Sequence, residues 1–519
     1  MEIINGLFKK LNTKLSKAQK TGFIAALIFG FIAHMPALVM DAPNHDGLAS
    51  VYFDQNMITS GRWFLGTACG ISSFYSLPWL IGVLSIVYLS ITALFLIKLL
   101  NVDNSLVAAL IGGLLITFPS IASNFAYVFT MDGYMLGVLF AVLAVYFVDK
   151  FKFGFLIGAL FLALSMGTYQ AYLPIAILLS CYMVLLVFKS KISPKEKVLG
   201  ALNYVYMGVI GAAGYYVILN VLLKIQGKVL DTYQGINSMD GLEKTGLLSS
   251  LKVIYKDFFV FSIKGNVLFN NAISLIALLI IVILFLAALI LDAKKNGLFK
   301  SVWFYVCVAV TGVLLPVFTN AILLVSKDVT YHLLMRYQWV FLEIILTAYT
   351  FNVFKENDVS LKPIIGKVAS AVLLISTFLL CFNNIVTDNI GYSNLQKKYE
   401  KTYAYCLRLA DRIEQTEGYF PGIPIYMIGV VGDDNFPVTD ITSNVTDHMI
   451  GIYGDWLLYT PENYGYFYKY YMGITFNFLK PSEANYYDTT EYVAMPSFPE
   501  PGSTKVVDGV LYVKTENMH

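Results

Sequence analysis

Between positions 41 and 63 the chain gathers Asp41, Asn44, His45, Asp46, Arg62 and Trp63, directly after a long apolar segment. A carboxylate at a lipid–water surface can act as general base on a hydroxyl. An arginine's planar fork of donors suits a phosphate. A tryptophan offers a stacking face to a sugar ring, or anchors the chain at the membrane interface. The acids also have a plainer reading, in which Asp41 and Asp46 mark where the chain leaves the bilayer.

Three other stretches carry polar groups among apolar ones. Asp132 stands in Phe129-Thr-Met-Asp-Gly-Tyr134, in a loop too short to stray from the membrane surface. It is either a second boundary acid or a partner of Asp46 across one cavity. The run Met166-Gly-Thr-Tyr-Gln-Ala-Tyr172 sets Tyr169 and Gln170 inside a nearly continuous apolar stretch. Such groups are costly there unless partners satisfy them, so they form a tight turn or contact sugar hydroxyls. Lys327, His332 and Arg336 bring positive charge to one loop, for a lipid phosphate or for ordinary headgroups. Arg336 is the favoured phosphate partner.

The elements that must position these residues are apolar. Of 519 residues, 57% are hydrophobic and 13% charged, and mean hydropathy is +0.66. Soluble domains are about 25% charged, so most of this chain faces lipid or a core shielded from water. A span needs about 20 apolar residues, and about eleven segments qualify on that measure. They lie near 21–40, 78–100, 105–123, 133–148, 154–169, 171–188, 199–223, 269–291, 301–325, 337–354 and 365–385. With the N-terminus inside, the lysines at 150, 152, 189, 191, 195, 197, 294, 295, 300, 355 and 362 fall in inner loops, which is the positive-inside pattern. The C-terminus is then outside.

Residues 1–20 alternate lysines with apolar residues at helical spacing and read as a cytoplasmic amphipathic helix. Residues 21–385 form the membrane unit. From 386 to 519 the composition turns to Tyr, Asp, Asn, Pro and Gly, over enough length for a separate domain. There 394–417 is helical in pattern, while 423–431 and 509–513 read as strands. The fold class expected is an all-α polytopic membrane protein with a C-terminal extracytoplasmic α/β domain. In that domain Tyr464, Tyr466, Phe467, Tyr468, Tyr470 and Tyr471 are either domain core or stacking faces for a polysaccharide, and Asp433 and Asp434 stand on a loop. Cys69 and Cys406 both fall outside, where a disulfide is possible.

Several function classes lack their signals. No basic block points to nucleic acid, and there is no Walker A loop, GxSxG elbow or HExxH. The inner loops are too short for a nucleotide-sugar domain, so an activated sugar has to arrive on a membrane lipid. No ligand cluster demands a metal.

At Asp46, Ser60-Gly61-Arg62-Trp63, Thr130-Met-Asp132-Gly and Gly167-Thr-Tyr-Gln-Ala-Tyr172, the chain resembles the glucosyltransferase II family, known from enzymes that glucosylate bacterial O-antigen. The resemblance covers the membrane part through about residue 350. It implies a GT-C-type membrane fold in a bacterial cytoplasmic membrane, with polyprenyl-phosphate glucose as donor, a surface polysaccharide as acceptor and no required cofactor. With that chemistry Asp46 is the base, with Asp132 or Asp41 orienting it or the acceptor. Arg336 and Arg62 meet the leaving phosphate, and Tyr169 and Gln170 meet the sugar. The rivals are a transporter of lipid-linked sugars, whose spans would form two related halves, and a non-catalytic membrane partner.

Overall fold

The computed structural model describes residues 14–49, 52, 54–190, 192–232, 247–265, 268, 271–325, 329–356, 363–428, 443–446, 449–454, 457–458, 460–480 and 490–515. Each expected apolar segment coincides with a helix: α1 (Lys17–Val39), α2 (Pro78–Leu99), α3 (Ser105–Thr117), α4 (Met131–Lys150), α5 (Gly154–Thr168), α6 (Leu173–Lys189), α7 (Pro194–Gln226), α9 (Ala272–Lys295), α10 (Val302–Thr319), α11 (Gln338–Glu356) and α12 (Pro363–Glu414). An additional helix, α8 (Leu247–Lys264), lies in the region between α7 and α9. Among the described residues seven helices are long and apolar enough to cross a membrane, and three apolar ones are shorter. The chain is a multi-pass membrane protein. The expected 1–20 helix lies largely outside the described residues, and Lys17–Lys20 belong to α1.

Local chemistry sets the ends of these helices. Ser16 and Gln19 form a reciprocal capping box on α1, and Ser193 and Glu196 do the same on α7. Each box satisfies two backbone donors that a helix start leaves open. Inside the bundle, α1 packs on α2 and α3, while α4 packs on α2, α5 and α6. Helices α9, α11 and α12 form a second group, joined to the first mainly through α3, with α12 also on α1 and α11 on α6. The α1–α3 crossing is close: a Cβ on Gly112 would meet the Gly22 carbonyl oxygen at 2.5 Å. Small residues substitute here for the hydrophobic drive that lipid removes.

Helix α12 spans 52 residues, about 78 Å at 1.5 Å per residue. A bilayer core is about 30 Å thick, so the rod must project beyond it and carry the C-terminal residues with it. The expected boundary at 385/386 therefore falls inside one continuous helix. Against its far end packs a four-stranded sheet of β1 (Pro424–Ile428), β2 (Asn477–Phe478), β3 (Thr504–Val507) and β4 (Val510–Lys514), in the order β2-β1-β4-β3. Strand β1 runs parallel to both neighbours, and β3–β4 is an antiparallel hairpin. Asp508 and Gly509 turn it with φ of 49° and 77°, the left-handed pair that tight hairpins need. The domain has its own core of Cys406, Leu409, Ile413, Ile425, Tyr464, Phe467, Tyr468 and Leu511. All five cysteines are free, and Cys69 sits in the membrane core while Cys406 sits in the domain core, so they form no disulfide.

Candidate functional site

The Ser60–Phe64 stretch is clasped by helices α5 to α7. A 3-10 turn over Ile58–Ser60 ends at Gly61, whose φ of 76° suits glycine. The Gln170 amide nitrogen donates to the Ser60 carbonyl at 3.0 Å and to the Tyr215 hydroxyl at 3.0 Å. Tyr215 in turn donates to the Gly61 carbonyl at 3.1 Å. The Phe64 amide donates to the Gly167 carbonyl at 2.7 Å, and the Trp63 indole lies directly on Gly167. The two motifs far apart in sequence are thus one piece of structure.

Arg62 is held in an aromatic box. Its Nη1 donates to the Tyr134 hydroxyl at 2.9 Å, and its guanidinium lies 4.8 Å from the Tyr169 ring centroid. Tyr134 and Tyr169 stack at 4.8 Å, and Tyr172 meets both edge-on. Cation–π contact and a hydroxyl acceptor keep the charged group half-buried at the end of the bundle. The Tyr215 phenol, on α7, also feels this guanidinium.

The three acids fall in different surroundings. Asp132 is fully buried at the start of α4. Its Oδ1 accepts from the Gly133 amide at 2.8 Å, and Ser72, Cys69 and Tyr88 lie around it. Asp46 opens a short 3-10 turn and is exposed, with His45 Nε2 at 3.4 Å from its Oδ1. The His45 ring meets Tyr127 edge-on at 6.4 Å, and partial burial lowers the His45 pKa below its ordinary value despite Asp46 beside it. Asp41 is exposed two residues beyond α1, and partial burial of its carboxyl raises its pKa.

The loop bearing Asp41 and Asp46 is sandwiched between the bundle and the C-terminal domain. Leu48 belongs to the domain's core. Gly47 faces Phe129, while the turn at Gly451 lies against Asn44, Tyr127 and Ala126. Ser123 donates to the Ile450 carbonyl at 3.1 Å, and Lys398 on α12 donates to the Tyr453 carbonyl at 3.1 Å. The C-terminal domain therefore borders Asp46, a relationship without a sequence signal.

Arg336 makes a different kind of site. Its Nη1 and Nη2 donate to Asp257 Oδ2 and Oδ1, each at 2.7 Å, and its guanidinium lies 3.9 Å from the Tyr331 ring centroid. Asn320 also donates to Asp257, at 2.9 Å. The expected phosphate ligand already holds a carboxylate, which ties α8 to the loop before α11. Asp257 escaped the sequence reading; its only signal is an acid within an amphipathic run. His332 lies beside Arg336, and burial together with that charge lowers its pKa. Lys327 lies outside the described residues, as do Asp433 and Asp434.

This arrangement defines a class first: a polytopic membrane protein whose clasped polar loop, carrying acids and a half-buried arginine, meets a mixed domain at one end of the bundle. A family model described as Glucosyl transferase GtrII matches residues 35–347. The chain belongs to that family of glucosyltransferases. The matched region contains the Asp46 loop, the Arg62 box and Asp132, and stops short of α12 and the C-terminal domain. No curated protein matches the chain.

Proposed function

We propose that the protein transfers glucose, or a related hexose, from a polyprenyl-phosphate carrier to a surface polysaccharide on the outer face of the membrane. Family membership supports glucosyl transfer. The observation that carries the site assignment is the accessibility of Asp46 at the junction of bundle and domain, where an acceptor can approach. Asp132, wholly enclosed, fits a role in holding the start of α4 against the Cys69–Ser72 segment.

In the reaction Asp46 takes the proton of an acceptor hydroxyl. That oxygen attacks the anomeric carbon from the side opposite the phosphate, forming a new C–O bond with inversion. The bond from the anomeric carbon to the phosphate oxygen breaks, and its electron pair leaves on polyprenyl phosphate. Charge developing on that phosphate is met by Arg62, since recruiting Arg336 requires breaking its pair with Asp257. Trp63, next to Arg62 in the chain and half-buried, faces the sugar, whereas Tyr169 lies buried under the guanidinium and the Gln170 amide nitrogen serves the loop. The prenyl chain lies in lipid among the helices. Polyprenyl phosphate is already a competent leaving group.

The test is transfer from synthetic polyprenyl-phosphate glucose by purified protein, wild type beside Asp46→Asn, with thermal melts of both. Release of polyprenyl phosphate by wild type, and donor binding without release by the variant, are expected. Equal release by both removes Asp46 as the base. If wild type neither transfers nor hydrolyses any lipid-linked sugar offered, the enzyme reading gives way to transport.

A further inference from the structure

Beside the Asp46 loop, outside the family-matched region, three tyrosines gather from two separate parts of the chain. Tyr399 and Tyr403 stand one turn apart on α12, with ring centroids 6.3 Å apart. Tyr471 comes from the helical turn Tyr468–Met472 and meets Tyr399 at 6.1 Å. Phe467, fully buried, forms the floor: its ring stacks with Tyr471 at 5.5 Å and lies 5.9 Å from Tyr399 and 6.4 Å from Tyr403. Tyr403 is 38% exposed, and Tyr399 and Tyr471 are half-buried, so the group presents ring surface to solvent.

Asp41 completes the patch. Its carboxylate acts on the hydroxyls of both Tyr399 and Tyr471. It makes no hydrogen bond or ion pair among the described residues. Asp41 is exposed, so its oxygens are open to an incoming group. The carboxylate is therefore poised for a ligand that donates hydrogen bonds.

We propose that Asp41, Tyr399, Tyr403 and Tyr471 form a subsite for a neutral sugar residue of the acceptor polysaccharide. The proposal rests on the glucosyltransferase reading above and adds where the acceptor is held. A hexose ring offers an apolar C–H face to aromatic rings and, around its edge, hydroxyls to a carboxylate. Both complements are present here. The position also fits, since α12 carries Tyr399 and Tyr403 and the Asp46 loop carries Asp41. A belt of tyrosines at lipid headgroups is the competing account. Against it, these rings pack on one another and on the buried Phe467, and the unpaired acid among them repels anionic headgroups. For the same reason the sugar bound is uncharged.

The experiment measures binding of surface polysaccharide, isolated from cells lacking this protein and fluorescently labelled, to the purified full chain in detergent without donor. Wild type is compared with Tyr403→Ala and Asp41→Asn; the first truncates an exposed side chain and the second keeps the shape. Each variant is expected to weaken binding at least about tenfold, the scale of losing one well-placed contact at a binding hot spot. Donor hydrolysis without acceptor is expected to stay at the wild-type rate in Tyr403→Ala. Equal binding by all three proteins, or none by wild type, overturns the subsite. Failure of the glucosyltransferase reading appears separately, as absence of donor turnover.

Discussion

Trp63 rests on Gly167 so closely that a Cβ on the glycine would meet the indole at 2.5 Å. This contact joins the first loop to the end of α5 and lets the Phe64 amide reach the Gly167 carbonyl at 2.7 Å. Gly167→Ala is expected to push Trp63 out of place, costing about 1–3 kcal/mol as overpacking does. Glucosyl transfer is expected to fall further than stability does, because Arg62 is the neighbouring residue. Thermal melts and transfer rates on the same preparations check this; a variant with wild-type rate disconnects the contact from the site.

The Gln170–Tyr215 pair gives a milder version of the same lesion. Tyr215→Phe removes the hydroxyl that donates to Gly61 and accepts from Gln170. A net cost of about 1 kcal/mol is expected for each buried hydrogen bond lost. Because the loop bears Arg62, donor KM is expected to rise while overall folding persists. An unchanged KM would place the donor phosphate away from this loop.

Arg336 and Asp257 form a bidentate pair with side chains 10% and 24% exposed. Breaking one partner of a buried pair costs about 3–5 kcal/mol, and the partial exposure here reduces that. Arg336→Gln and Asp257→Asn are each expected to destabilise, with a coupling of about 1–3 kcal/mol in the double-mutant cycle. A cycle that closes to zero means the two residues act independently. In that case Arg336 returns as a candidate for the donor phosphate.

Two groups near the site carry opposite pH signatures. Burial lowers the His45 pKa from an ordinary value of about 6.5. The unfolded chain then binds the proton more readily, so this contribution to stability is present above the ordinary value and is lost on acidification toward the lowered pKa. Asp41 is shifted upward, so its contribution is present at acid pH and is lost as pH rises through the raised pKa. His45→Gln is expected to flatten the fall in Tm below about pH 6.5, and Asp41→Asn to raise Tm at neutral pH. Melts across pH 4 to 8 on both variants, roughly the span of these two titrations, read out each sign separately.

The helix positions were legible because an unbroken apolar run has few alternatives: in lipid every backbone group must be satisfied within the helix. Helix α7 starts at Pro194, ahead of the expected 199, because Ser193 and Glu196 cap it there, a signal that apolar length does not carry. The closing hairpin was half legible, since 509–513 read as a strand while the Asp508-Gly509 turn signal passed unread. Of the tail aromatics, Tyr464, Phe467 and Tyr468 proved to be core, and only their packing distinguishes them from Tyr470, which is exposed. Residue type and spacing are identical in kind for both groups.

Residue patterns along the chain carry the class: a membrane bundle, a polar loop rich in acids, a terminal mixed domain and a resemblance to glucosyltransferases. Local patterns suffice for these, because apolar length, charge placement and strand alternation act over short stretches of chain. Which groups meet is a matter of packing. It paired Arg336 with Asp257, enclosed Asp132, set Trp63 on Gly167 and brought Asp41 beside Tyr399 and Tyr471. Those contacts join residues from 44 positions apart, Tyr88 and Asp132, to 430, Asp41 and Tyr471. At such distances helix packing and the projection of α12 decide which side chains meet, and no local pattern in the chain encodes it.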